Sequence, residues 1–261
     1  MAPRRPYMYA DLTWPELREA IAAGKVILLP VGTVEQHGPH LPLDTDNFSA
    51  MAICDEVGRR ASEDVLIMPI VAYGFNWHHI DFPGTIGIDA THLINYLLDI
   101  TRSLAYHGFS KILLLSVHGS NKPFLDVVAR KTVMDTGSLC ASIESFPGAS
   151  QLASGLFKSP TAHACESETS LMLYLDEGRV QMDKAVREMD DLQSEFIYRG
   201  GGAPVNLMEW WSAYTTSGVL GDPTLATAEK GQQYFEAFVE SLVGLIKEFR
   251  ARPIRPRRDQ H

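Results

Sequence analysis

Cysteine is scarce in this 261-residue chain, long apolar runs are missing, and clustered basic residues are missing from its body. Three cysteines, Cys54, Cys140 and Cys165, are too few and too scattered for a disulfide framework, and reduced thiols in a cytoplasmic protein are the simpler expectation. No stretch of 18 apolar residues occurs, so no membrane-spanning helix is expected. The first six residues, with Arg4 and Arg5, lead into Tyr7, Met8 and Tyr9 rather than an apolar stretch, which argues against a signal peptide. Residues 1–6 and 249–261 hold seven arginines and one acid, so the remaining body carries 16 basic and 31 acidic side chains, a net of −15 against −9 for the whole chain. A body this acidic lacks the clustered Lys and Arg that phosphate contacts require, which excludes nucleic acid as the expected partner. With 45% hydrophobic and 21% charged residues, disorder and coiled coil are excluded as descriptions of the whole.

Continuous apolar segments of strand length alternate with periodic segments of helix length. Residues 25–31, 65–71, 111–117 and 139–143 read as strands, the first three as strands buried on both faces. Between them, helices are expected from Thr13 to Gly24, from Asp44 or Thr45 to Arg60, from Asp89 or Thr91 to about His107, and over 121–135. This alternation predicts an α/β fold with a mostly parallel central sheet covered by helices. A last long helix presents Phe235, Phe238, Leu242, Leu245 and Phe249 on one apolar face. Residues 199–204 read as a flexible glycine-rich loop without phosphate-loop spacing, and 188–191 as a solvated acidic run. One domain over 1–261 is expected, with a flexible tail from about 250 whose arginines are solvated.

Chemistry concentrates where strands end. Glu35 and His37 follow the first strand two residues apart, so on an extended chain they point the same way, and Asp46 returns at the start of the next helix. In open α/β sheets the ligand crevice lies beyond the carboxyl ends of the strands. Carboxylate with imidazole suits zinc, manganese or iron rather than calcium. His118 follows the third strand at the same end of the sheet, and Asn121 either orients a ligand or caps the next helix. His163 and Glu168 reach a common crevice if a helix begins between them. Glu166 and Glu168 then face different ways, so one of the two ligates. Cys165 reads as a buried small residue, and His78 and His79 as loop histidines available to substrate.

The run Gly32-Thr33-Val34-Glu35-Gln36-His37-Gly38-Pro39-His40-Leu41-Pro42-Leu43 followed by Thr45-Asp46 resembles the signature of the creatininase (creatinine amidohydrolase) family. Phe82-Pro83-Gly84-Thr85, His118-Gly119-Ser120-Asn121, His163 through Ser170, Gly218 through Pro223, and Ala226 through Gly231 agree in order. The resemblance implies a three-layer α/β/α domain with a two-metal site, in a homo-oligomer that is often a hexamer. It implies Glu35, His37, Asp46 and His118 as metal ligands, Asp46 bridging, and His163 as the proton-transfer residue. A family glutamate two residues after the matched His118 is replaced by Ser120, which makes Glu168 the substitute ligand and a catalytic residue. Ser120, Asn121, His78 and His79 are the expected substrate contacts. The paired tryptophans around the creatininase substrate have no match at corresponding places, and Trp14, Trp77, Trp210 and Trp211 are expected elsewhere.

The implied activity is that of a metal-dependent amidohydrolase, with one or two divalent ions, zinc first and manganese or iron as alternatives. A metal-activated water cleaves a C–N bond, other than a peptide bond, in a small cyclic amide or related small molecule. Two alternatives stand beside it. One is hydrolytic C–C ring opening of a cyclic diketone derived from a polyol, and the other a non-catalytic metal- or sugar-binding subunit.

Overall fold

The computed structural model describes residues 4–143, 147–159, 162–189 and 207–259. Helix α1, Trp14–Ala22, opens on Thr13, whose backbone N–H donates to the Glu16 carboxylate at 2.8 Å. Strand β1, Val26–Pro30, leads to α2, Thr45–Arg60, and β2, Val65–Ile67. Helix α3, Ala90–Tyr106, is capped by Asp89, which accepts from the N–H groups of Thr91 and His92. Strand β3, Lys111–Leu115, helix α4, Lys122–Thr136, and strand β4, Leu139–Ile143, complete the alternation. Helices α5, Pro147–Leu156, α6, Glu166–Asp176, and α7, Ala228–Ala251, follow.

The four strands pair in parallel throughout, in the order β2-β1-β3-β4. Strand side chains alternate between faces, and the two cores divide accordingly. Val26 and Leu28 of β1, with Leu113 and Leu115 of β3, pack against Ile53 and Val57 of α2 and against α7. Ile27 and Leu29, with Ile112 and Leu114, pack against Leu97 of α3 and Leu125 and Val128 of α4. The result is the expected three-layer α/β/α arrangement. Because β1 pairs with β2 on one side and β3 on the other, the chain reverses direction across the sheet between β1 and β3. Their carboxyl ends open a crevice there.

Several local expectations need correction. Strand β2 ends at Ile67 instead of continuing to 71, because Pro69 offers no N–H to the ladder. The inner face of α7 is Phe235, Val239, Leu242 and Ile246, with Phe238, Leu245 and Phe249 on its flank. Arg250 is no solvated tail residue: it lies in α7, pairs with Asp64 and donates to Ala23 O. Residues 252–259 beyond it are exposed and have no regular structure. Glu188, expected in a solvated run, accepts from Thr215, Thr216 and Ser217, which ties that loop down. The glycine-rich loop 199–204 lies outside the described residues. Among the described residues no helix is long and apolar enough to cross a membrane.

Candidate metal centre

The segment after β1 is extended, and both Glu35 and His37 are buried in the crevice. Asp46 sits in the first turn of α2, where the helix N-terminus favours a carboxylate. His118 follows β3, and Glu168 occupies the first turn of α6. Two loops and two helix starts thus converge. His118 Nδ1 lies 3.1 Å from Glu35 Oε1 and 3.6 Å from Asp46 Oδ2, while Asp46 Oδ1 lies 3.6 Å from His37 Nε2. One carboxylate therefore stands between two imidazoles, the arrangement a bridging ligand requires. Glu35, Asp46 and His118 form one group whose donor atoms fit around a single ion, and His37, His163 and Glu168 form a second.

The polar bookkeeping of this interior favours a cation. Glu35 Oε1 and Oε2, His37 Nε2 and Asp46 Oδ2 are buried without a hydrogen bond of suitable geometry. Buried polar atoms left so are costly, and a concentration of them in one crevice marks a place where a divalent ion satisfies several at once. Carboxylate oxygens and imidazole nitrogens are a donor set for zinc, manganese or iron. The surrounding bonds orient the ligands: His118 Nε2 bonds Phe75 O at 3.0 Å and His37 Nδ1 lies 3.3 Å from Glu35 O, leaving the opposite nitrogens toward the carboxylates.

Charges in the ion-free protein are set by mutual contact. Burial opposes a proton on His37, yet Asp46, Glu168 and Glu35 raise it to about 10. Burial likewise opposes charge on His118, but Glu35 and Asp46 raise it to about 9. Burial, reinforced by Asp46 and Glu35, pushes Glu168 up to about 7. Burial and the neighbouring His37 hold His163 well below the usual histidine range, and burial with His163 does the same for His79.

The remaining expected residues divide. Glu166 turns away, as its spacing from Glu168 predicts: it pairs with Lys230 and accepts the N–H groups of Lys158 and Ser159. Cys165 is buried against Ser167. His78 Nε2 bonds Ser120 Oγ at 3.0 Å, and its ring lies 6.1 Å from that of His118. Asn121 is no substrate contact. Its amide bonds Gly32 O at 3.0 Å, Ser116 Oγ at 3.2 Å and Phe75 N at 2.9 Å, and so braces the loops after β1 and β2 against the one after β3. Trp211 corrects the sequence reading, for it does not lie elsewhere. Its ring stacks on His79 at 4.4 Å and meets His163 edge-on at 5.1 Å. Gln36 was also missed as a site residue, although it sits between two expected ligands. Its amide reaches His79, His163 and Gly218.

Comparison with known proteins gives a consistent neighbourhood. The family profile described as "Creatininase: Creatinine amidohydrolase" matches residues 10–246. A "Mycofactocin precursor peptide peptidase" of Mycolicibacterium smegmatis is 34% identical over 85% of this chain and 84% of its own length. A "Creatinine amidohydrolase" of Pseudomonas putida is 30% identical over 91% and 95%. A "3-dehydro-scyllo-inosose hydrolase" of Thermotoga maritima is 25% identical over 94% and 84%. A crystal structure of creatinine amidohydrolase superposes with TM-score 0.80 at 26% identity, over 93% of this chain and 98% of that one. Two further creatininase structures of like coverage carry metals in their descriptions. One is a mutant of Zn-Zn type, with TM-score 0.77, 27% identity and coverage of 93% and 97%. The other is a Mn form, with TM-score 0.76, 29% identity and coverage of 93% and 98%.

Proposed function

The chain belongs to the creatininase family of hydrolases, and from that premise we propose that it is a divalent-metal-dependent hydrolase that cleaves an amide C–N bond. The observation that carries the reading is the buried set of Glu35, His37, Asp46, His118 and Glu168, with carboxylate and imidazole atoms that lack a well-formed hydrogen bond, at the carboxyl ends of β1 and β3. Those five residues would hold one or two ions, with Asp46 shared, and zinc or manganese is the first expectation from the related structures. A divalent cation bound there lowers the pKa of water toward about 7 and polarises a carbonyl. His163, neutral and buried, has Nδ1 3.7 Å from Glu35 Oε1, where it takes the proton of the attacking water. As oxygen bonds to the carbonyl carbon and the C–N bond breaks, the same imidazolium returns that proton to the departing nitrogen, which leaves as an amine. His78 and Ser120 line the approach as a hydrogen-bonded pair, and Trp211 with His79 supplies a flat face for the substrate.

The first substrate reading is a small cyclic amide, as in the Pseudomonas relative. A second, a peptide bond, is favoured by the higher identity to the mycobacterial peptidase. We place the enzyme in the cytoplasm as a homo-oligomer, a hexamer being the form the family resemblance implies. Its buried Cys54 and Cys165 accord with a reducing compartment.

The test is amine release by zinc- or manganese-loaded protein from a panel of creatinine, other lactams and short peptides. Metal-dependent amine release that disappears in His163→Ala, with metal content intact, is the expected result. Ring opening without an amine would instead favour the C–C reaction that the name of the Thermotoga relative suggests. Retained metal with no turnover of any of these would favour a binding subunit and defeat the reading.

A further inference from the structure

Gln36 lies between Glu35 and His37, so on an extended chain its side chain leaves the side opposite to theirs. Two backbone groups fix the orientation of its amide. Gly38 N–H, which can only donate, meets Oε1 at 2.9 Å, and Gly218 O, which can only accept, meets Nε2 at 3.1 Å. A Cβ at Gly218, where φ is +87°, would overlap this amide, so the close approach needs glycine. Nε2 is therefore a donor where it meets His79 Nδ1 at 2.8 Å, and Nδ1 must be the bare nitrogen of that ring. A neutral His79 then carries its proton on Nε2, which has no hydrogen-bond acceptor among the described residues. The second histidine is fixed by the same residue's main chain. His163 Nε2 lies 2.7 Å from Gln36 O, an acceptor only, so Nε2 bears the proton and Nδ1 is left with its lone pair on the side of Glu35. The 3.0 Å approach of His163 Nε2 to Gln36 Nε2 is then a contact between two donors, held by the bonds on either side.

We propose that Gln36 is a positioning residue that imposes the Nε2-protonated tautomer on both His79 and His163 from opposite ends of the ring, so that His79 offers its N–H to the carbonyl oxygen of the substrate and His163 offers its Nδ1 lone pair to the proton of the attacking water. The inference rests on the hydrolase reading above for its use, though not for its chemistry. An N–H donor against His79 Nδ1 requires that ring to be neutral, which is the condition for a tautomer to matter. The charge that develops on the carbonyl oxygen as water adds is what an aimed N–H stabilises, and Trp211, stacked on His79 and donating to Gly218 O at 2.9 Å, clamps that ring in place.

The test is solid-state 15N NMR of protein labelled at the histidine ring nitrogens, with the His79 and His163 signals assigned from His79→Gln and His163→Gln. The expected result in the unaltered protein is a bare Nδ1 and protonated Nε2 in both rings. Gln36→Glu keeps the acceptor for Gly38 but replaces the donor with an oxygen, so the His79 proton should move to Nδ1. With it, kcat should fall by about 10²-fold, the scale of one lost oxyanion donor, while KM and metal content stay close to their starting values. His79 protonated on Nδ1 in the unaltered protein overturns the inference. So does an unchanged tautomer and kcat in a folded Gln36→Glu protein. Correct tautomers in a protein that releases no amine would leave the assignment standing and defeat the amide-cleavage reading instead.

Discussion

His118 Nδ1 stands 3.1 Å from Glu35 Oε1, which joins the residue following β3 to the one following β1 across the point where the sheet reverses direction. Glu35 is fully buried, and both its oxygens lack a well-formed hydrogen bond. Removing that carboxylate leaves His118 without its nearest counter-charge and takes one donor from its metal group. Glu35→Ala should therefore lower metal content. The affinity loss should exceed the ~10–100-fold typical of changes that only support a ligand. Metal analysis by mass spectrometry after dialysis, beside amine release, checks this. Full metal content with full activity would sink the ligand assignment.

Proton linkage gives a second prediction. In the ion-free protein His37 is raised to about 10 and His118 to about 9 by the surrounding carboxylates. An imidazole must be bare to ligate, so binding displaces those protons. At pH 7.5, titration calorimetry in buffers of different ionisation enthalpy should show release of about two protons per fully loaded site, and affinity should rise with pH. The sign for stability is opposite in the ion-free state. Folded values raised above the ordinary 6.5 contribute stability that is complete below about 6.5 and is lost as pH climbs through 9 to 10. Melting of the ion-free protein should thus shift to lower temperature over that alkaline window.

The parts legible in the sequence are those that local pattern determines. Residues 112–115 are an unbroken apolar run because both faces of the strand are covered, and the periodic segment of α2 is bounded by Asp44 before it and Arg60 at its end. The ligand candidates were legible because Glu35, His37 and His118 each stand just past a strand. Trp211 was not, since it belongs to no periodic segment and reaches His79 only through the chain's return to Gly218. Gln36 was passed over because a glutamine has no charge or metal preference to announce it, and its role exists only once Gly38, Gly218 and two histidines surround it. Asn121 shows the converse. A buried amide suits backbone struts as well as ligands, and only the partners decide.

Lys230 of α7 bonds the Glu166 carboxylate and Leu225 O, and Glu166 is almost wholly buried at the start of α6. Lys230→Met removes the cation and leaves a buried carboxylate supported only by two backbone N–H groups. Losing one partner of a buried pair costs about 3–5 kcal/mol, and the partial exposure of Lys230 places the expected loss nearer about 2–3 kcal/mol. Denaturant unfolding measures it. A loss below ~1 kcal/mol would mean that the pair adds little to the docking of α6 on α7.

The same interface ties the fold to the site. Gly231 lies where α7 passes closest to α6, and a Cβ there would run into the Ser170 main-chain carbonyl, with Tyr174 Cβ beside it. Ser170 is two residues after Glu168, so α6 cannot yield without moving the carboxylate that faces His37 and His163. Backbone cannot step aside as a flexible side chain does, so Gly231→Ala should push the helices apart at a cost of about 1–3 kcal/mol, the range for overpacking a tight interior. Because the displacement falls on only one side of the site, occupancy should drop where His37 and Glu168 would hold an ion while that of Glu35, Asp46 and His118 persists. Metal-to-protein ratio and melting temperature, measured together on Gly231→Ala and on Glu168→Gln, separate the two effects. Glu168→Gln should lower the ratio without the stability loss, whereas Gly231→Ala should lower both. A Gly231→Ala protein with the melting temperature and metal ratio of the unaltered chain would show that the close approach at Ser170 does not govern where Glu168 sits.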